Sequence, residues 1–262
     1  MNIGFSHPII KKIKEIKKKS YDNLVVLEGL SILEFALKNN ALIETVVYTE
    51  DDLREDGNEI KKELIKKAKE KYIISNKVFE SISEKDNSIG VIAIARYNEL
   101  NHDIDLKKYH FILINDGIEL PGNLGTIYRT AYTTGVDLII NVDLKTSIYN
   151  PKFISSSRGV MFSIPTINAS YEEIQKKLID NEFRILLGEP ELGSSYHGYD
   201  YKGNIAIVMG SERFGINPKW YQNKHESIYI PMNGELNSIN VGVATSIILY
   251  EAAIDRNNFE KQ

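Results

Sequence analysis

Asn123 and Arg129 lie in a segment whose residue types suit a ligand site. The apolar run HFILI at 110–114 leads to PGNLG at 121–125, which we expect to be a loop, and a helix is predicted near 126–134. Glycine lets the backbone approach a ligand closely, and Arg129 follows the second glycine by four residues, one helical turn from the loop. Because a fixed cation stabilises developing negative charge, this segment predicts a binding or catalytic site.

Two later segments repeat the pattern of apolar strand, glycine turn and polar side chains. They are IAIVMGSERFGI at 205–216 and IYIPMNGELNSINVGVATSIILYEA at 228–252, and a further apolar run, FRILL at 183–187, ends at Gly188. Ligands in open α/β sheets bind beyond the carboxyl ends of the strands, so we expect the loops after these strands to converge. None of them has the GxGxxG or GxxxxGK[ST] pattern, which argues against a classical Rossmann or nucleoside-triphosphate site.

The elements that must position these residues alternate along the chain. From His110 onward, strands and helices follow one another with short connections, which predicts a mostly parallel sheet covered by helices on both faces. The first part of the chain alternates in the same way and forms a compact α/β unit. We therefore predict two domains, at 1–97 and 109–262, joined by a polar linker at 98–108.

The composition excludes several classes of protein. The chain is 42 % hydrophobic and 26 % charged, as in ordinary globular proteins, and has no apolar run of the ~18 residues that a membrane span needs. The absence of cysteine excludes disulfides, thiolate metal sites and a cysteine nucleophile. The five histidines show no metal-ligand spacing, so we expect no metal, and with no signal-peptide pattern we expect a cytoplasmic protein.

Charge is concentrated at the start of the chain. The net charge is −4, but the first twenty residues carry +5, which leaves −9 for the rest. Residues 8–19 place isoleucines at helical spacing and predict a basic amphipathic helix. For a lone charge run, a solvated face on a packed helix is the commoner interpretation, whereas a nucleic-acid partner would make it a phosphate-binding surface. The lysines are Lys11, Lys12, Lys14, Lys17, Lys18 and Lys19.

The three site segments, in their order and spacing, resemble motifs 1, 2 and 3 of the SpoU/TrmH class of RNA ribose 2′-O-methyltransferases, in the SPOUT superfamily. Residues 1–97 resemble the small domain, similar to ribosomal protein L30e, that binds substrate in many members. This resemblance implies an N-terminal L30e-like α/β domain, a C-terminal SPOUT α/β domain with a trefoil knot, and a homodimer. The segment SSSRGVMF is similar to the thiostrepton-resistance branch, and motif 3 departs from the common SLNVS, since Gly242 of SINVG lacks a hydroxyl.

The resemblance also implies roles for individual residues. S-adenosyl-L-methionine would be the cofactor, and Arg129 would stabilise the attacking ribose 2′-hydroxyl. Asn123 would hold the motif 1 loop, and Glu212 could pair with Arg129 to orient it. Arg158 would lie beside the target nucleotide or bind a phosphate. The residues expected to contact the cofactor are Gly188, Gly210, Ser211, Ile230, Met232, Ser238, Ile239 and Asn240.

The function that the resemblance implies is S-adenosylmethionine-dependent 2′-O-methylation of a ribose in RNA. Ribosomal RNA is favoured over transfer RNA because the separate N-terminal domain and the SRG sequence both resemble branches directed to rRNA. One alternative is an RNA-binding or ribosome-assembly protein that keeps the fold without turnover. Another is a nucleotide-binding regulator, which would need a phosphate loop that the chain lacks.

Overall fold

The protein, described here from a computed structural model, divides into two compact units. One comprises residues 1–98 and 147–163, and the other comprises residues 99–146 and 164–262. The structure describes residues 2–19, 23–51, 57–84, 89–97, 104–233, 238–257 and 259. Most of the predicted linker, residues 98–103, and part of the motif 3 loop, residues 234–237, lie outside these ranges.

The first unit is built on a five-stranded mixed sheet with the order β1-β4-β3-β5-β2. Its strands are β1 (Asn2–Ile3), β2 (Leu24–Glu28), β3 (Leu42–Tyr48), β4 (Glu70–Ile74) and β5 (Val91–Arg96). Its first helices are α1 (Pro8–Lys18), α2 (Leu30–Lys38), α3 (Asn58–Lys67) and α4 (Asn76–Glu80). The predicted basic helix is confirmed as α1, which buries its isoleucines at 9, 10, 13 and 16 in the core of this unit.

The second unit is built on a seven-stranded sheet with the order β10-β12-β9-β11-β6-β7-β8. Its strands are β6 (Phe111–Asp116), β7 (Leu138–Val142), β8 (Thr166–Ala169), β9 (Arg184–Glu189), β10 (Ser194–Ser195), β11 (Ile205–Met209) and β12 (Glu226–Tyr229). The remaining helices of the chain are α5 (Pro121–Thr133), α6 (Pro151–Ser157), α7 (Tyr171–Asp180) and α8 (Val241–Asp255).

Every strand pairing in the second sheet is parallel, which confirms the prediction of a mostly parallel sheet. The central strands β6, β7 and β11 are buried along their whole length, as a sheet covered on both faces requires. The strands β12, β9, β11 and β6 are neighbours, so the loops after their carboxyl ends meet at one edge of the sheet. The trefoil knot stays a prediction.

The segment PGNLG is helical, and the prediction of a loop at 121–125 is wrong. Helix α5 begins at Pro121, five residues before the predicted start, and Leu120 occupies the N-cap without a side-chain capping bond. Proline suits the first helical position, because its fixed φ matches the helix and its missing N–H would have no partner there. The glycines at 122 and 125 therefore lie in the first turns of α5.

Residues 147–163, which we predicted to be part of the second domain, cluster with the first unit. Helix α6 packs against β2, and Asn39 at the end of α2 donates a 2.8 Å hydrogen bond to the hydroxyl of Ser163. A Cβ added to Gly159 would lie 2.9 Å from the Cα of Ile32 in α2, so only glycine allows this close approach.

No helix in the described part of the chain is long and apolar enough to cross a membrane. Among those same residues, no group of three or more histidine or carboxylate side chains is placed to hold a metal ion.

Candidate active site

A cavity of about 830 Å³ opens at the carboxyl edge of the parallel sheet. The turns after β9, β11 and β12 form its walls together with the first turns of α5 and α8. All eight residues that we assigned to the cofactor line it: Gly188, Gly210, Ser211, Ile230, Met232, Ser238, Ile239 and Asn240. Asn123 and Glu212 also line it, whereas Arg129 and Arg158 do not.

Sequence reasoning missed much of the apolar wall. Met209 and Ile216 flank the turn after β11, and Val241, Ala244 and Ile248 line the cavity from α8. The last three recur at helical spacing on one face, a pattern in the sequence that we did not use. Glu189, Glu191, Leu192 and Arg213 also line the cavity.

A chain of hydrogen bonds joins the three motif segments. The Glu212 carboxylate accepts the backbone N–H groups of Glu119 at 2.9 Å and Leu120 at 3.1 Å, and a bond from the Asn123 amide at 2.7 Å. Asn123 Oδ1 in turn accepts a 3.1 Å bond from the amide of Asn240. Glu212 thus ties down the two residues before α5 and the Asn123 side chain in its first turn, and a carboxylate near a helix N-terminus is also favoured by the helix dipole.

Asn240 extends this chain to the start of α8. Its Oδ1 accepts the backbone N–H groups of Gly242 at 2.9 Å and Val243 at 3.3 Å, so it is the N-cap of the helix. A Cβ added to Gly242 would lie 3.2 Å from this oxygen and 3.4 Å from Thr126, so the departure in motif 3 leaves room for the cap. The first turns of α5 and α8 are therefore held by one connected set of side chains.

The pKa of Glu212 lies below its ordinary value. Burial alone would raise it, but the bonds from the Glu119 N–H, the Asn123 amide and the Leu120 N–H favour the charged form and outweigh burial. Because the folded pKa is the lower one, the stabilisation is complete above the unfolded pKa of about 4.3 and is lost as pH falls through the folded pKa.

Replacing Glu212 with glutamine should lower the free energy of unfolding by about 0.5–1 kcal/mol at pH 7, since one amide oxygen replaces two anionic acceptors and solvent screens this exposed position. The difference from the wild type should shrink at pH 3.5, below the unfolded pKa of about 4.3, because the unfolded wild type then takes up a proton that the folded carboxylate resists. Denaturant unfolding at both pH values measures this. Glu63→Gln, which breaks only the exposed pair with Lys67, is the control and should change little. An equal loss at both pH values would contradict the electrostatic account.

Arg129 does not pair with Glu212, so that prediction is wrong. The two oxygens of Glu212 accept bonds from the start of α5, and no hydrogen bond or ion pair joins the Arg129 side chain to any described residue. Since α5 begins at Pro121, Arg129 lies two turns into the helix, where it is exposed. Its guanidinium is therefore free to meet a ligand or a partner molecule.

Arg158 lies in the first compact unit, at the end of α6. Its φ of +52° is in the left-handed region, and the next residue, Gly159, has a φ of +87°. A left-handed conformation is uncommon for arginine, and it is held here by the packing of Gly159 on α2. Arg158 is exposed and forms no hydrogen bond or ion pair through its side chain within the described ranges.

Five of the six lysines of α1 and its C-terminus are at least partly accessible. Lys11, Lys14, Lys18 and Lys19 are exposed and Lys12 is half-buried.

The structure corrects the prediction for Lys17, which we had placed among the six phosphate-binding lysines. Its ammonium lies 2.7 Å from both Glu28 Oε2 and the carbonyl oxygen of Ile82, and its side chain is 11 % exposed. Lys17 follows Ile13 by four residues, so helical spacing places it on the buried face of α1.

Comparison with known proteins finds a matching family model for each of the two parts of the chain. The model of the SpoU rRNA Methylase family matches residues 110–250, and that of the MRM3-like substrate binding domain matches residues 7–93. The 23S rRNA (guanosine(2553)-2′-O)-methyltransferase RlmP of Bacillus subtilis is 25 % identical over 240 residues, which cover 92 % of each chain. A putative TrmH family tRNA/rRNA methyltransferase of Staphylococcus aureus is 30 % identical, covering 89 % of this chain and 97 % of that one.

Among solved structures, the AdoMet-bound rRNA methyltransferase from Sinorhizobium meliloti is similar over 96 % of this chain and 97 % of its own. The TM-score is 0.83 and the sequences are 26 % identical. The likeness therefore extends over both compact units and not only over the motif segments. With a family model that matches more than half of its length, this chain belongs to the SpoU rRNA Methylase family.

Proposed function

We propose that this protein is an S-adenosylmethionine-dependent methyltransferase that methylates the 2′-hydroxyl of a ribose in ribosomal RNA. The observation that carries the proposal is the cavity: it is lined by all eight residues that we assigned to the cofactor. The chain that contains it belongs to the SpoU family. The relative RlmP is named for 2′-O-methylation of 23S rRNA, and the Sinorhizobium meliloti relative is described with bound AdoMet.

The cavity fits the chemistry of this cofactor. Its volume lies within the ~300–1,000 Å³ of small-molecule sites. Met209, Ile216 and Ile230 offer apolar wall to the adenine and carbon chain, and Gly188 and Gly210 add backbone without side chains to the lining. Carboxylates on the wall, including Glu189, suit the positive charges of an ammonium and a sulfonium.

Bound S-adenosylmethionine would supply an activated methyl group on sulfur. The residues that line the cavity would hold the cofactor. Its methyl would pass to the ribose oxygen, the carbon–sulfur electron pair would stay on sulfur, and the hydroxyl proton would leave to water or to an RNA phosphate. Arg129 stabilises the negative charge that develops on the oxygen. A guanidinium has donors and no acceptor, so Arg129 acts by its charge and not as a general base.

RNA contacts are proposed for the first compact unit. The family model for residues 7–93 describes a substrate binding domain, and the exposed lysines of α1 supply a positive face there. Arg158 adds an exposed guanidinium to the same unit and suits a phosphate. Action on ribosomal RNA places the proposed site of action in the cytoplasm.

A homodimer is proposed from an apolar face on α5 and α8. The two helices pack together through the 2.8 Å bond between Thr130 and Ser246, yet large apolar side chains beside this contact remain exposed. They are Tyr132, Val243, Tyr250 and Ile254, with exposures of 37 %, 49 %, 45 % and 61 %. A second copy would cover this face and would place Arg129, which α5 also exposes, at the boundary between the protomers.

Replacing Ile254 with aspartate should weaken the dimer by at least tenfold, because it buries a charge in an apolar interface. Sedimentation velocity over a range of protein concentrations measures this. Ile179→Asp, at a 47 % exposed position on α7, is the matched control and should leave the dimer unchanged. A wild-type protein that remains monomeric at micromolar concentration would rule out the proposed dimer.

The test of the reaction is transfer of tritiated methyl from S-adenosylmethionine to 23S and 16S rRNA transcripts and to transfer RNA, followed by nucleoside analysis. We expect a 2′-O-methylated nucleoside in ribosomal RNA. Cofactor binding without transfer to transcripts or to isolated ribosomal subunits would instead identify a non-catalytic RNA-binding protein.

A further inference from the structure

The turn after β11 is closed by hydrogen bonds. The backbone groups of Ser211 and Gly215 form two hydrogen bonds with each other, of 2.9 and 3.1 Å, and Ser211 Oγ accepts a 3.0 Å bond from the N–H of Phe214. Gly215 has a φ of +70°, which glycine adopts without strain. Arg213 and Phe214 therefore lie on a turn whose backbone is closed by hydrogen bonds.

Phe214 is held away from the protein. It is 75 % exposed, the highest value among the large apolar side chains that the structure describes as exposed. Its two neighbours, Arg213 and Gly215, line the cavity, whereas Phe214 does not. The ring is therefore exposed to solvent next to two residues of the cavity lining, on a turn closed by hydrogen bonds.

Arg213 adds a positive charge beside the exposed Phe214 ring. The centre of its guanidinium lies 5.1 Å from the centre of the Phe214 ring. The Arg213 side chain has no hydrogen bond or ion pair with a described residue. A free guanidinium plane beside an exposed aromatic ring suits an unstacked, negatively charged nucleotide better than a purely apolar partner.

We propose that Arg213 and Phe214 form a stacking platform for a base of the RNA substrate at the mouth of the methyl-transfer cavity. The inference rests on the proposed function and adds a substrate-positioning site to it. A nucleotide that delivers its ribose hydroxyl into the cavity brings its base to this rim, where the ring stacks on the base and the guanidinium meets the adjoining phosphate.

Replacing Phe214 with alanine should raise the KM for a 23S rRNA transcript roughly 10-fold to 100-fold, the loss expected for one stacked base. The kcat and the dissociation constant of S-adenosylmethionine should stay within about twofold. Phe214→Trp should restore the KM, whereas Phe214→Leu, which keeps apolar size without an aromatic face, should not. Ile179→Ala, at an exposed apolar position on α7, is the control.

Three outcomes would overturn the platform: a wild-type KM for Phe214→Ala, full activity for Phe214→Leu, or loss of the dimer in sedimentation, which would assign the ring to a second copy of the chain. Affinity for the labelled transcript, measured by fluorescence anisotropy, separates this inference from the proposed reaction. A wild type that transfers no methyl refutes the reaction, whereas equal RNA affinity of wild type and Phe214→Ala refutes the platform.

Discussion

Replacing Arg129 with alanine should lower kcat for methyl transfer roughly 100-fold to 1,000-fold, as removal of a group that stabilises a developing oxyanion does in other enzymes. Arg129 is exposed on α5, has no hydrogen bond or ion pair within the described ranges and lies outside the cofactor cavity. Its loss should therefore leave folding and cofactor affinity intact. Single-turnover kinetics with saturating RNA and cofactor, together with calorimetric titration of the cofactor, measure the two quantities separately.

The variant Arg129→Lys tests whether the positive charge alone is enough for catalysis. It keeps the charge but not the planar set of donors, so we expect it to recover part of the lost rate. Lys176→Ala removes an exposed cation from α7 and serves as the control for net charge. If Arg129→Ala instead weakens cofactor binding tenfold with an unchanged rate, the guanidinium serves the cofactor and its assignment to the ribose oxygen is wrong.

Gly210→Ala should damage both the fold and the cofactor site. A Cβ at this position would lie 2.3 Å from the carbonyl carbon of Gly215 and the backbone nitrogen of Ile216. These are backbone atoms of a turn closed by two hydrogen bonds, so they cannot yield as a flexible side chain can. We expect a loss of about 1–3 kcal/mol in the free energy of unfolding and at least a tenfold loss of cofactor affinity.

Two other glycines provide a graded series for this prediction. A Cβ at Gly188 would meet the sulfur of Met209 at 2.5 Å, and a methionine side chain can move, so Gly188→Ala should cost less. Gly4→Ala has nothing within 4 Å of the added atom and should match the wild type. Thermal unfolding and cofactor titration of the three variants test this order. A Gly210→Ala protein as stable as Gly4→Ala would contradict the prediction, because it would show that the turn can move to make room for the added Cβ.

The architecture of the second unit, and the meeting of its site loops at one edge of the sheet, could be predicted from the amino-acid sequence. Alternating apolar runs with short connections leave a parallel sheet as the stable arrangement, and the carboxyl ends of neighbouring strands must then share an edge. Gly188 lies near the end of β9, and Gly210 and Met232 come after β11 and β12, so their place at the cavity followed from chain order.

The tertiary structure connects the motif side chains in a way that local propensity does not show. Local propensity favours a loop at a segment with two glycines and a proline, but α5 begins at Pro121, and Glu212, 89 residues after Asn123, binds the Asn123 side chain and the backbone just before the helix. The same contact leaves Arg129 without the partner that motif order suggested. Likewise, the Lys17 ammonium forms an ion pair with Glu28 and is largely removed from solvent.

The exposure of Phe214 was also decided by the fold. An apolar residue after a glutamate and an arginine carries no periodic signal, and nothing in its neighbours shows whether it is buried. It is exposed on a turn that hydrogen bonds between Ser211 and Gly215 close. Periodicity and chain order determine which elements form and which of their ends meet, whereas hydrogen bonds between distant residues determine which side chains are left free to act.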